Sequence, residues 1–156
     1  MFRANTRHSY LMEMEEFNSI LLEDFVSSYG KTLLLLGDGV FVDAHYLKRK
    51  MGDRLYIQRI LNMYQFQKTI VEDFYYDDFA IFIVVRLSEL KEWKEDVLLN
   101  ISNALEGISR RTGTPNIVYL VEDEEFRPPW LGNVFHRKIL EVVKKWEETP
   151  LALEWK

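Results

Sequence analysis

Phe79-Ala80-Ile81-Phe82-Ile83-Val84-Val85 is an unbroken apolar run. A strand with one solvated face alternates apolar and polar residues. A run with no polar member suits a parallel strand covered on both faces. Ser88 is then placed to cap a helix, and Glu89 in its first turn suits the positive end of the helix dipole. That helix is expected to reach about Arg111. Thr112-Gly113-Thr114-Pro115 ends it, because glycine accepts positive φ and proline lacks an N–H donor. Asn116-Ile117-Val118-Tyr119-Leu120-Val121 reads as another buried strand. Strand, helix and strand from Phe79 to Val121 form a right-handed βαβ unit on this reading, and the class is α/β.

Working outward, Met14, Phe17, Leu21, Leu22 and Phe25 recur at helical spacing and predict a helix from about Leu11 to Ser28, stopped by Gly30. Thr32-Leu33-Leu34-Leu35-Leu36 is a buried strand, and Gly37-Asp38-Gly39 a turn. Val40-Phe41-Val42 has two readings. Local pattern favours the return strand of a hairpin, whereas an α/β context favours a loop. A short strand around Tyr56-Ile57 precedes a helix that includes Phe66 to Phe74. The tail also has two readings. Val134 to Trp146 forms an amphipathic helix, or Lys138 to Val143 pairs with Leu151 to Trp155 across a bend at Glu148-Thr149-Pro150. With no internal repeat, low-complexity tract or long linker, residues 1–156 are expected to form a single domain.

The chain is 47% hydrophobic and 14% aromatic, which is enough to fill a core and excludes a disordered class. The absence of cysteine removes disulfides, thiolate chemistry and cysteine-based zinc sites. No apolar run approaches the roughly 20 residues that span a bilayer. Met1 to His8 lacks the apolar stretch of a secretory signal. An intracellular protein without a membrane partner is expected, in cytoplasm or nucleoid, or in the nucleus of a eukaryote. The net charge of −5 means that any DNA contact must come from a local patch or through a partner complex.

Complete chemical motifs are missing. His8, His45 and His136 are not spaced as a helical metal pair, and no HExxH occurs. No GxGxxG, GxxxxGK[ST] or GxSxG is present. Neither a catalytic residue nor a cofactor is therefore expected. The acids Glu72, Asp73, Asp77 and Asp78, with Asp38 and Asp43, define the main alternative, a small magnesium-dependent nuclease. The same acids also suit a solvated helix end. Glu122-Asp123-Glu124-Glu125 comes directly after the last strand, where its charge would repel phosphate.

Two surfaces stand out as binding candidates. Lys48, Arg49, Lys50 and Arg54, flanked by Tyr46 and Tyr56, combine charge with stacking surface for nucleic acid. A short charge run is also the ordinary make-up of a solvated face. Phe126-Arg127-Pro128-Pro129-Trp130-Leu131 reads as a rigid loop that offers Phe126, Arg127 and Trp130 to a protein partner, or as a plug at the core edge. Trp93, Trp130, Trp146 and Trp155 would be the contacts of a structural homo-oligomer, a further alternative.

Taken in order, several segments resemble the central part of a RecA/RadA-type recombinase domain. Asp38-Gly39-Val40-Phe41 resembles the family's EGTF turn, and Arg59-Ile60-Leu61-Asn62 its R-x-x-N segment. Phe79 to Leu90 is similar to the Walker B strand together with the segment after it. Ile108 to Val118 resembles the helix and strand before the second DNA-binding loop. Pro129-Trp130-Leu131-Gly132 is similar to a P-x-L-G turn of recombinase paralogues.

The resemblance implies a truncated RecA-like core, with a mostly parallel central sheet flanked by helices and a C-terminal β-hairpin. It also implies an ATPase-dead member. Thr6-Arg7-His8-Ser9 would stand at the P-loop with His8 replacing the phosphate-binding lysine, and Val85 would replace the magnesium-holding aspartate. Such chains resemble Shu-complex subunits. The implied role is a non-catalytic accessory protein in DNA recombination or repair, paired as a heteromer with a RecA-like partner.

Overall fold

The computed structural model describes residues 9–14, 17, 19–72 and 78–121. Among the described residues, five strands form one sheet: β1 (Ser9–Met14), β2 (Thr32–Gly37), β3 (Leu55–Ile60), β4 (Ala80–Arg86) and β5 (Asn116–Val121). Their spatial order is β1-β5-β4-β2-β3, and every pairing is parallel. The helices are α1 (Ser19–Tyr29), α2 (Ala44–Met51), α3 (Met63–Gln67) and α4 (Glu95–Thr112). A π-helical turn, Lys68–Glu72, continues α3.

The strand order dictates which face each helix covers. From β1 through β2 to β3 the chain moves in one direction across the sheet, and from β3 through β4 to β5 it moves back. Parallel crossovers keep one hand, so a reversal of direction moves the connecting helices to the opposite face. The packing agrees. Leu22 and Phe25 of α1 and Leu47 and Met51 of α2 bury against Leu34, Phe82 and Tyr119. Phe66 of α3 and Leu98, Ile101 and Leu105 of α4 bury against Leu33, Leu35, Ile81 and Ile83. Alternate residues of β2, β4 and β5 thus serve opposite cores. This explains why these strands are apolar along almost their whole length, with polar residues only at their ends, Thr32, Arg86 and Asn116, and with every residue of β2 and β5 buried.

The α/β class and mostly parallel sheet expected from the sequence are present. Several local expectations are corrected. The helix expected from Leu11 to Ser28 is a strand succeeded by a shorter helix. Residues 9–14 pair with β5 from Ser9↔Asn116 to Met14↔Val121, and that long-range pairing overrides the helical spacing of Met14. Val40-Phe41-Val42 is a loop, not a hairpin strand, and leads to α2, where Asp43 caps the first turn by accepting from Tyr46 N at 3.0 Å.

Ser88 does not cap a long helix. Leu87–Glu92 is a 3-10 turn, Trp93 is extended, and α4 starts at Glu95. The Trp93 ring packs 5.4 Å from Phe66, which joins the interruption to the core under α3. The helix expected around Phe66 begins earlier, at Met63, because Asn62 accepts from Gln65 N and caps it. Gly113 ends α4 as expected, at φ 73°. Both readings of the tail lie outside the described residues.

Candidate functional site

β2 and β4 are neighbours, yet β2 leads to α2 on one face and β4 leads toward α4 on the other. In open α/β sheets, ligands bind outside the carboxyl ends of the strands at such a reversal. Here the two strands end at Gly37 and Arg86.

The side chain of Glu89 spans the reversal. Its Oε1 accepts from Gly39 N at 3.0 Å and its Oε2 from Arg86 N at 2.7 Å. Arg86 Nε donates to Gly39 O at 3.3 Å. From β3, Arg59 Nη1 donates to Gly37 O and to Val40 O, both at 2.9 Å. The turn after β2 is therefore held from two sides. A Cβ on Gly37 would lie 2.5–2.6 Å from the Glu89 carboxylate oxygens, so a larger residue here would have to displace that carboxylate from its two N–H partners.

The structure also joins two segments that stand apart in the sequence. Arg59 of the R-x-x-N segment is bonded to both ends of the turn that contains Asp38-Gly39. Asn62 of the same segment caps α3 at 2.9 Å. Reading the sequence gave Arg86 and Glu89 no role in this site. For Glu89 the one signal in the sequence was Gly37, whose bare Cα gains its meaning only once Glu89 is placed beside it.

Residues 9–14 form β1, so in the sequence the stretch between the first described strand and α1 is Glu15-Glu16-Phe17-Asn18, and Thr6-Arg7-His8 precede that strand. A phosphate cradle needs closely placed backbone donors and is usually rich in glycine. This connection has four residues, two glutamates and no glycine or lysine. Val85 is 2% exposed, facing the core beneath α4.

The basic cluster lies on α2 and the turn after it, and most of its members have partners. Lys48 Nζ donates to Leu55 O, and to Gly52 O at 3.3 Å, and sits 5.4 Å from the centre of the Tyr56 ring. Lys50 pairs with Glu23 of α1 at 2.6 Å and lies over the Tyr46 ring. The bond to Glu23, and then that to the Tyr46 hydroxyl, raises the Lys50 ammonium above its ordinary pKa. Arg54 Nε donates to Met51 O at 3.4 Å. Arg49 is exposed.

Of the acids proposed for magnesium, Asp43 is a helix cap, and Asp38 and Asp78 are exposed. Asp73 and Asp77 lie outside the described residues. Among the described residues, no group of three or more His, Asp or Glu side chains is placed to hold a metal ion. His45 is exposed on α2, and His8 and His136 lie outside the described residues. So do Phe126, Arg127, Trp130, Trp146 and Trp155.

A rim of apolar groups lines the same strand ends. Phe41 is 87% exposed, Tyr64 66% and Leu61 61%. Phe41 ends the Asp38-Gly39-Val40-Phe41 turn, and Leu61 and Tyr64 come just after β3. No helix among the described residues is long and apolar enough to cross a membrane. Neither any protein-family model nor any curated protein sequence matches the chain.

Proposed function

We propose that this chain is a non-catalytic RecA-like accessory protein that acts through protein–protein contacts in DNA recombination or repair. The observation that carries its non-catalytic character is the β1–α1 connection. Its four residues include two glutamates and neither glycine nor lysine, a composition opposed to the glycine-rich, lysine-bearing cradle that binds phosphate at a helix start. The bonds from Arg59 to Gly37 and Val40 support kinship with the recombinases, since they unite two of the segments on which that resemblance rests. Phe41, a large ring almost wholly in solvent beside the reversal, supports a role in contact with another protein.

DNA would be met weakly, or through the complex. Lys48, Lys50 and Arg54 spend hydrogen bonds within the fold, and Arg49 extends the same patch. Affinity capture from the native host, with mass spectrometry of the bound proteins, is the direct test. A RecA-like ATPase or a recombinase on the resin is the expected result, with capture lost in Phe41→Ala while its melting temperature stays within a degree or so of the parent, as for other surface changes. ATP turnover by the purified protein that survives repurification would end the non-catalytic reading.

A further inference from the structure

The Glu89 carboxylate occupies the place where a doubly wound sheet normally holds an anionic ligand. Two backbone N–H groups from different segments, Gly39 and Arg86, converge on its two oxygens at 3.0 and 2.7 Å. The strand beneath it is bare at Gly37, where a Cβ would come within 2.5 Å of the same oxygens. Two guanidinium groups, those of Arg59 and Arg86, bond to carbonyls of the same turn. Converging amides over a glycine floor are elements from which proteins build sites for phosphate-like anions, and the two guanidinium groups hold the turn in place and add positive charge beside it. Asp38, exposed in the turn, is the one acid in it that opposes a second negative charge.

We propose that the strand reversal is an anion site of the phosphate class that the chain keeps occupied with its own Glu89 carboxylate. The side chain is an internal ligand. It closes the position to free phosphate and ties the β2–α2 turn to the start of the turn after β4. Removing it exposes the two amides to any small anion that satisfies both. The inference deepens the non-catalytic reading but rests on different residues. Its failure would leave the β1–α1 connection and the partner test as they stand.

The experiment compares wild type, Glu89→Ala and Glu89→Gln, titrated with inorganic phosphate against chloride at matched ionic strength. Amide NMR shifts and thermal melts are recorded. The wild type is expected to show no saturable phosphate effect. Glu89→Ala is expected to show saturable shifts at the Gly39 and Arg86 amides and a phosphate-dependent rise in melting temperature. At phosphate about ten times the dissociation constant, linkage raises the folding equilibrium constant about elevenfold.

A Glu89→Ala protein that folds only with phosphate present also supports the site. If that variant stays unfolded in phosphate, Glu89→Gln decides. Its side chain keeps the shape without the charge, so phosphate is expected to displace it and move the same two amides. Folded Glu89→Ala with no shift, unchanged Glu89→Gln where Glu89→Ala is unfolded, or equal phosphate binding by the wild type would overturn the proposal.

Discussion

Single residues hold this fold at points where backbone groups would otherwise be left without partners. Asn116 is fully buried; its Oδ1 accepts from Ile81 N at 3.2 Å and its Nδ2 donates to Leu105 O at 2.8 Å. One side chain therefore ties β5 to β4 and to α4. Asn116→Ala leaves buried polar groups unpaired and is expected to cost about 2–3 kcal/mol, measured by urea denaturation. Gly37→Ala drives a Cβ into a carboxylate fixed by two N–H bonds and is expected to cost about 1–3 kcal/mol. The same substitution in a Glu89→Ala background should cost clearly less, because the clashing group is gone. Additive losses would show that Gly37 meets some other constraint.

Asp24 on α1 makes a pH prediction at the same scale. Burial raises its carboxyl above the ordinary value of 3.8. A raised folded-state value means that the fold prefers the neutral acid. That contribution is fully present below the unfolded-state value and is lost as pH rises through the folded one. Asp24→Asn is therefore expected to be more stable than the parent at pH 7. The advantage should shrink as pH falls toward about 4, as tracked by paired melts across that range.

At the scale of elements, Phe82 of β4 shows how one strand anchors a face. Its ring lies 5.2 Å from Phe25 of α1, edge-on, and 6.1 Å from Tyr119 of β5. Phe82→Ala is expected to cost about 3–5 kcal/mol in chemical denaturation. The central strands were legible in the sequence because each is apolar on both faces, as Phe79 to Val85 and Asn116 to Val121 show. Elements that depend on distant partners were not. The segment Ser9–Met14 is a strand because β5 lies beside it, and its own spacing suggests a helix. Short α2 has a polar, basic surface that hides it, although Asp43 three residues before Tyr46 is a capping signal. The site was half legible. Two turn segments stood out as motifs, but Glu89 looked like an ordinary first-turn acid. Its real task requires a carboxylate to reach back to Gly39, fifty residues away.

For the molecule as a whole, two cores on opposite faces of one sheet make the inner strands common to both. β2, β4 and β5 each contribute alternate side chains to the two clusters. Opening either layer of helices exposes only one side of them. Amide exchange is expected to be slowest in these strands, at or near the global unfolding free energy, and faster in α2. Exchange that is fastest in β4 would contradict a shared centre.

The pairing of β1 with β5 also bears on how the chain is made. During synthesis, β1 leaves the ribosome more than a hundred residues before Asn116, its first partner in register. At translation speeds of about 5–20 residues per second, it waits roughly 5–20 seconds with no strand beside it. Its edge is then open to any other nascent segment. Safe delivery of that first strand depends on what covers it in the interval, such as a holding chaperone or the helix next to it in the chain.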